Sequence, residues 1–249
     1  MQNVYYHPNC PDGNTCAWLW SKVHPNDNLK PLAPEIDQSE PLVFLDCCPR
    51  VPIDPAVPVL VIDHHKTVHQ DIQNFAPHAQ LIYSNEKCAA ELVRDYLKLP
   101  PDPLIPYIAD RDLWKWELPL SREVSAYIHL HTLEEWGEID VEKGKLIGPY
   151  ILKLINKQVE HIYSNHRVID SVVYINSSVY QSELGERGYR DYPLAVVYTD
   201  RRVSLRSSIL DCAAIAKALG GGGHKNAAGF NFNNFIPEVH GCLLKPKST

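Results

Sequence analysis

An apolar run, Val59–Leu60–Val61–Ile62, stops on Asp63, His64 and His65 in the stretch VLVIDHHKT. Two other short apolar runs end on similar chemistry. NVYY leads into His7, with Cys10 and Asp12 in the turn that follows, and LVFL ends on Asp46. A further apolar stretch brings Asp110 and Asp112 in YIADRDLW. Carboxylates and imidazoles together suit divalent first-row ions, with Mn²⁺ favoured where carboxylates dominate. Two such ions side by side can activate a water and stabilise the attacking and leaving oxygens at phosphorus. A lone acid at a strand end is most often a turn former or a helix cap, so Asp46 by itself carries little weight. The Asp63–His64–His65 triplet, joined with His7 and Asp12, carries much more.

A second set of residues suits an anion. Four successive glycines, Gly220 to Gly223, precede His224 in GGGGHKNAAGF, and glycine lets backbone N–H groups approach an anion without obstruction. Arg206 lies near the end of RVSLRSS, where its planar guanidinium could hold a phosphate through two parallel bonds. A glycine run alone is weak evidence, being a flexible loop more often than not. Its conjunction with the triplet gives it force.

These residues need elements to position them. In the first 110 residues, short continuous apolar runs at 3–6, 42–46, 59–63 and 80–84 read as strands buried on both faces, as in a parallel sheet covered by helices. TCAWLWSKV (15–23) and CAAELVRDYLKL (88–99) have helical spacing. The resulting βαβ pattern predicts an α/β fold. In an open parallel sheet ligands gather at the carboxyl ends of the strands, so His7, Asp46 and Asp63–His65 are expected to converge. Residues 142–166 read as one long amphipathic helix, with Pro149 either kinking it or marking its start. After it, SVVYINSS, LAVVYTD, RVSLRSS and the helix-like DCAAIAKAL describe a second, smaller α/β domain. The expected organisation is a metal-binding domain over 1–141, a linker helix over 142–166 and a substrate-binding domain over 167–249. Proline-rich pieces at 31–58 and 100–106 read as loops.

Composition narrows the partners. The chain has 249 residues, 45% apolar and 22% charged, with a formal charge of −6; it has the make-up of a globular protein with a sizeable core. The acidic balance argues against coating long duplex DNA, which calls for a broad basic surface. Seven cysteines, an odd number with an adjacent pair at 47–48 and no CxxC spacing, read as mostly reduced. MQNVYYHPNC lacks a basic segment followed by an apolar one, and no apolar run approaches the ~18 residues of a membrane span. A cytoplasmic protein without membrane association is the expectation, with room for a homodimer.

With these motifs in place, the sequence resembles the DHH phosphoesterase superfamily, in the arrangement that joins a DHH domain to a DHHA1 domain. YYHPNCPDGNTCAW, VFLDCC, VIDHHKT and IADRDLW resemble its first four motifs, and RSS…GGGGHKNAAG its DHHA1 phosphate-binding motif; SELGERG (182–188) is a looser match. The resemblance implies hydrolysis of phosphodiesters or phosphoanhydrides with a pair of Mn²⁺ ions. It makes His7, Asp12, Asp46, His64 and Asp110 metal ligands, with Asp46 bridging the ions. Asp63 would orient His64, His65 would touch the substrate phosphate, and Arg206, Ser207, Gly222, Gly223 and His224 would grip a terminal phosphate.

Cys10 departs from the family pattern, which has an acid two residues before the second acid. As a softer ligand it would favour Zn²⁺ or Fe²⁺ over Mn²⁺ or Mg²⁺ at one site. Other readings are a weak site, ligation by the Asn9 amide, or a small residue packed in the turn. Trp114, Trp116 and Tyr127 could stack on a base, though two of the three are expected to pack internally. The leading functional expectation is a phosphodiesterase releasing mononucleotides from short single-stranded oligonucleotides or dinucleotides. The alternatives are a cyclic-dinucleotide phosphodiesterase or single-strand exonuclease, a phosphoanhydride hydrolase of the pyrophosphatase kind, and a binding module that holds nucleotide uncut.

Overall fold

A computed structural model describes residues 1–244; positions 245–249 of the expected second domain lie outside the described residues. The chain divides into two compact units between Leu152 and Lys153. In the first, the elements run β1 (Asn3–Tyr6), α1 (Pro11–Val23), β2 (Asn28–Pro31), β3 (Leu42–Leu45), β4 (Val59–Asp63), α2 (Val68–Phe75), β5 (Gln80–Tyr83), α3 (Ala89–Tyr96), α4 (Leu104–Asp112) and α5 (Ser121–Ile128). The strands form one parallel sheet in the order β2-β1-β3-β4-β5.

The continuous apolar runs have their cause in this arrangement. Side chains alternate across a strand, and both faces are covered. Val4, Val43, Leu45 and Ile62 pack with residues of α1, α3 and α4, whereas Tyr5, Leu42, Phe44 and Val61 pack with Val68 and Ile72 of α2. Each such side chain, fully buried, contributes about 1.5–3 kcal/mol. β2 (NLKP) carries no apolar run; it lies at an edge of the sheet, where Pro31, which cannot donate to a ladder, is tolerated. Since all strands are parallel, the polar residues that follow β1, β3 and β4 emerge from one edge, from adjacent strands.

Helix α6 (Val141–Tyr163) runs through the division between the units with Pro149 inside it; it begins eight residues before the proline, which therefore does not mark its start. The second unit continues with β6 (Arg167–Ile169), β7 (Val172–Asn176), α7 (Gln181–Tyr189), β8 (Leu194–Tyr198), β9 (Arg202–Arg206), α8 (Cys212–Ala218), β10 (Gly222–His224) and β11 (Ala227–Asn231). Its sheet has the order β10-β11-β9-β8-β7-β6, with β7 and β8 parallel and the other pairs antiparallel. One face buries Val196, Leu205 and Phe230 with Cys212 and Ala216 of α8. The other buries Val173, Ile175 and Val197 with Leu184 of α7 and Val159 and Tyr163 of α6. The fold is α/β throughout.

Candidate metal centre

Three backbone details bring the ligand candidates of the first unit together. Asn9 takes a left-handed conformation, φ 57°, at an exposed corner, and the chain then turns Cys10 into the N-cap of α1. Gly13 stands where a Cβ would fall 2.1 Å from the His7 carbonyl oxygen, so glycine lets the first turn of α1, with Cys10 and Asp12, sit against the end of β1. Asp46 is also left-handed, at φ 57°, while its N–H still donates to the Ile62 carbonyl at 2.9 Å. The sheet ladder thus continues to Asp46 as its carboxylate turns into the centre.

His64 occupies the middle. Its Nε2 lies 3.4 Å from Asp46 Oδ1, 3.6 Å from Asp12 Oδ2 and 3.2 Å from Asp112 Oδ2. His7 Nδ1 is 3.1 Å from Asp46 Oδ2. One donor atom from each of His7, Cys10 and Asp46 lies within 4.8 Å of the others, and the same holds for Asp12, His64 and Asp112 and for Asp46, Asp63, His64 and His65. Asp12 is anchored from outside, its two oxygens accepting the Ala89 and Ala90 N–H groups at 2.8 and 2.7 Å. Those amides open α3, where unpaired N–H groups favour a carboxylate.

Three expected assignments change. Asp110 does not face the cluster; its carboxylate accepts the N–H groups of Glu117 at 2.9 Å and Leu118 at 3.4 Å and so ties down the loop after α4. The reason is helical geometry: residues two apart point about 200° from one another, so only one of the pair can reach His64, and that one is Asp112. Among the described contacts, Asp63 meets His64 at its backbone and reaches the ring of His65. Its Oδ1 accepts the His64 and His65 backbone N–H groups and lies 2.7 Å from His65 Nδ1. A carboxylate can only accept, so the Nδ1 of His65 carries a proton toward Asp63. Ser207 is fully buried, with its hydroxyl donating to the Pro193 carbonyl at 2.6 Å and accepting from the Ile209 and Leu210 N–H groups. It holds a turn and has no capacity to spare for substrate.

Without a cation the centre is electrostatically crowded. Burial, reinforced by Asp46 and Asp112, pushes the Asp12 carboxyl well above the usual range. Burial raises Asp112 as well, with Asp46 adding to it against the pull of His64. Burial opposes ionisation of Asp46, but the His64 imidazole beside it and the hydrogen-bonded His7 outweigh that and hold Asp46 low. Burial also opposes charging the two imidazoles, yet Asp46, Asp112 and Asp12 carry His64 up to about 9, and Asp63 carries His65 to about 10. Burial and the Asp46, Asp112 and Asp12 carboxylates raise the Cys10 thiol, against the Gly13 amide, which favours the thiolate. Imidazolium therefore supplies the positive charge that the carboxylates demand. Asp46 Oδ1 and Asp112 Oδ2 are buried with no aligned hydrogen-bond donor, a costly state for a carboxylate oxygen unless a cation completes it. The residues fit a divalent cation.

In the second unit, Arg206 closes β9, and its guanidinium donates to the Leu205 carbonyl at 2.9 Å and the Ser182 hydroxyl at 3.1 Å. Its stem lies over Gly185 of SELGERG, where a Cβ would fall 2.4 Å from Arg206 Cγ. Gly222, Gly223 and His224 belong to the edge strand β10 rather than to a loop, paired with Gly229, Ala228 and Ala227. An edge strand leaves backbone groups unpaired along its outer side. Of the aromatic candidates, Tyr127 is buried in the core of the first unit. Trp114 and Trp116 are half-buried, packed edge to face at 5.1 Å, with the Arg122 guanidinium 4.3 Å over the Trp116 ring. Sequence reasoning noticed Asp112 and then passed it over; a helical reading of LIPYIADRD would have separated the two acids.

The fold of this chain is similar to that of solved DHH-domain proteins. The likeness is direct in solved structures. RecJ from Thermus thermophilus in complex with Mn²⁺ matches 98% of this chain and 51% of its own at TM-score 0.57 and 12% identity. The DHH domain of PF0399, a member of the s1p family of ribosomal proteins, matches 100% and 87% at 0.56 and 16%. An exopolyphosphatase-related protein from Bacteroides fragilis matches 98% and 91% at 0.54 and 16%. No family model matches the sequence. Among curated proteins, the uncharacterized protein R106 of Acanthamoeba polyphaga mimivirus is 27% identical over 216 residues, 74% of this chain and 49% of that protein. The chain thus spans about half the length of the curated relative it matches. Among the described residues, no helix is long and apolar enough to cross a membrane.

Proposed function

We propose that the protein is a divalent-metal-dependent phosphodiesterase that hydrolyses short single-stranded oligonucleotides or dinucleotides to mononucleotides. The observation that carries this reading is the buried cluster around His64, in which Asp46 Oδ1 and Asp112 Oδ2 lack a hydrogen-bond donor. His7, Cys10, Asp12, Asp46, His64 and Asp112 would hold a pair of divalent ions, which would supply Lewis acidity and an acidified water. The chain's own part is positioning and charge. Asp63 holds the His65 ring through its Nδ1–H and favours its charged form, so His65 is proposed to neutralise charge on a non-bridging phosphate oxygen, an electrostatic role. Arg206, Gly222, Gly223 and His224 are proposed as the grip on a terminal phosphate.

RecJ, whose structure holds Mn²⁺, supports a divalent ion of this kind. The net charge of −6 supports short substrates over long duplex, and seven free cysteines support a reducing, cytoplasmic setting.

The test is hydrolysis of 5′-labelled pApA by metal-stripped protein resupplied with Mn²⁺, Mg²⁺, Zn²⁺ or Fe²⁺. Cyclic di-AMP, a DNA dinucleotide, a long single strand and pyrophosphate are run beside it, with His64→Ala as control. Release of AMP that depends on metal and is abolished in the control is the expected result. Turnover of pyrophosphate alone would replace the reading with an anhydride hydrolase, and nucleotide binding without turnover under any metal would make the protein a binding module.

A further inference from the structure

The two halves of the metal centre offer different donors. His7, Cys10 and Asp46 form one set, with one donor atom from each inside a 4.8 Å circle. Asp12, His64 and Asp112 form another of the same compactness that contains no sulfur. The sulfur does not arrive by accident of a loose loop. The left-handed Asn9 and the close approach of Gly13 to the His7 carbonyl fix the turn that carries Cys10. Asp46, 1% exposed, belongs to the same set, with its Oδ2 3.1 Å from His7 Nδ1 and its Oδ1 buried without an aligned hydrogen-bond donor.

Thiolate selects Zn²⁺ and other thiophilic ions, whereas carboxylate with imidazole accommodates Mn²⁺. We infer that the centre is chemically unequal: the His7–Cys10–Asp46 set takes a thiophilic ion, Zn²⁺ in preference to Mn²⁺, through a Cys10 thiolate, and the Asp12–His64–Asp112 set takes Mn²⁺. The inference rests on the metal-centre reading above and adds the identity of one ion to it. On binding, the Cys10 S–H bond breaks, its proton passes to solvent and a sulfur–metal bond forms in exchange for water on the ion. Nothing is oxidised or reduced.

Cobalt reports this ligation without any assay of activity, because a thiolate bound to Co²⁺ gives a near-ultraviolet charge-transfer band. The full chain is stripped of metal and titrated with Co²⁺ as wild type, Cys10→Ser, Cys10→Asp and His64→Ala, each checked for folding by circular dichroism. The expected result is a band in wild type and in His64→Ala that is missing in both Cys10 variants. Equilibration with equal Zn²⁺ and Mn²⁺ and elemental analysis should give one of each per wild-type chain and two Mn²⁺ per Cys10→Asp chain. Zn²⁺ affinity in Cys10→Ser should fall by more than the roughly 10- to 100-fold typical of losing an outer partner of a ligand. Should Cys10→Ser fail to fold, Cys10→Asp carries the comparison, since it restores an acid at that place. Metal bound by wild type without the band, or two Mn²⁺ per wild-type chain under competition, would overturn the unequal centre while leaving the metal centre standing. A wild-type protein that binds none of these ions would overturn both.

Discussion

Asp110 and Asp112 are separated by one residue, yet replacing each by asparagine should change the protein in opposite ways. Asp110 gives the post-α4 loop two acceptors, for Glu117 N–H at 2.9 Å and Leu118 N–H at 3.4 Å. Asparagine keeps one oxygen and turns an NH₂ group toward the other donor. A hydrogen bond to a charged group contributes about 1.5–3 kcal/mol; with the second bond long, the loss for Asp110→Asn is about 2–3 kcal/mol. At roughly 2–4 °C per kcal/mol for a chain of this size, the melting temperature should fall by about 4–12 °C. Asp112 behaves in reverse. Its carboxyl is raised by burial and by Asp46, so at neutral pH ionisation works against folding in the metal-free protein, and a neutral asparagine relieves that. Stripped Asp112→Asn should melt at or above the wild-type temperature and bind Mn²⁺ far more weakly. Differential scanning fluorimetry of the stripped proteins and isothermal titration with Mn²⁺ read the two effects separately. If Asp110→Asn lost metal while keeping its melting temperature, the roles given to the two acids would be wrong.

Three further outcomes follow from the same geometry. Gly13→Ala forces a Cβ to within 2.1 Å of the His7 carbonyl oxygen; overpacking of this kind costs about 1–3 kcal/mol, and the displaced α1 should bind metal less tightly, both readable by melting with and without Mn²⁺. The raised imidazoles give the stripped protein a pH signature: the stability that His64 and His65 lend is complete below the unfolded histidine value near 6.5 and is lost as pH rises through about 9 to 10. Metal held by His64 must displace the proton of that ring, so a weakly buffered titration at neutral pH should acidify on adding Mn²⁺, and at a pH above about 9 the release from this ring should vanish. Gly185→Ala drives a methyl to 2.4 Å from Arg206 Cγ and should reduce the preference for pApA over the unphosphorylated ApA, measured as the ratio of their kcat/KM values.

The part of the centre carried by strands was legible in the sequence, because a parallel sheet buried on both faces writes itself as apolar runs and delivers whatever follows them to one edge. The closeness of His7, Asp46 and His64 is expected on that ground, and the structure brings the three together. Asp110 and Asp112 were not separable, since Ile105, Ile108 and Ala109 read as a run whether the backbone is strand or helix, and only the helix sends the two acids to opposite sides. Asp63 reads as the partner of its immediate neighbour and does accept the His64 N–H at 2.7 Å, but it also accepts the His65 N–H at 3.1 Å, an Asx-type turn, and lies 2.7 Å from the His65 ring. Ser207 was read for its chemistry, whereas burial had committed its hydroxyl to Pro193, Ile209 and Leu210. β2 left no signal because NLKP holds a single leucine between polar residues and a proline, so no apolar run marks it.

The left-handed backbone of Asp46 also sets the route along which such a centre would decay. A single base change turns an aspartate codon into one for asparagine, glycine, alanine, valine, glutamate, histidine or tyrosine. Only glycine and asparagine join aspartate in taking φ near +60° at small cost; a β-carbon elsewhere on the list costs roughly 1–2 kcal/mol there. A lineage released from the need to hold metal would therefore drift first to glycine or asparagine at this position, losing a carboxylate while keeping the turn. The fossil of an abandoned centre in this fold would be a well-folded chain, recognisable by its histidines and by a small, left-handed residue where the acid had stood.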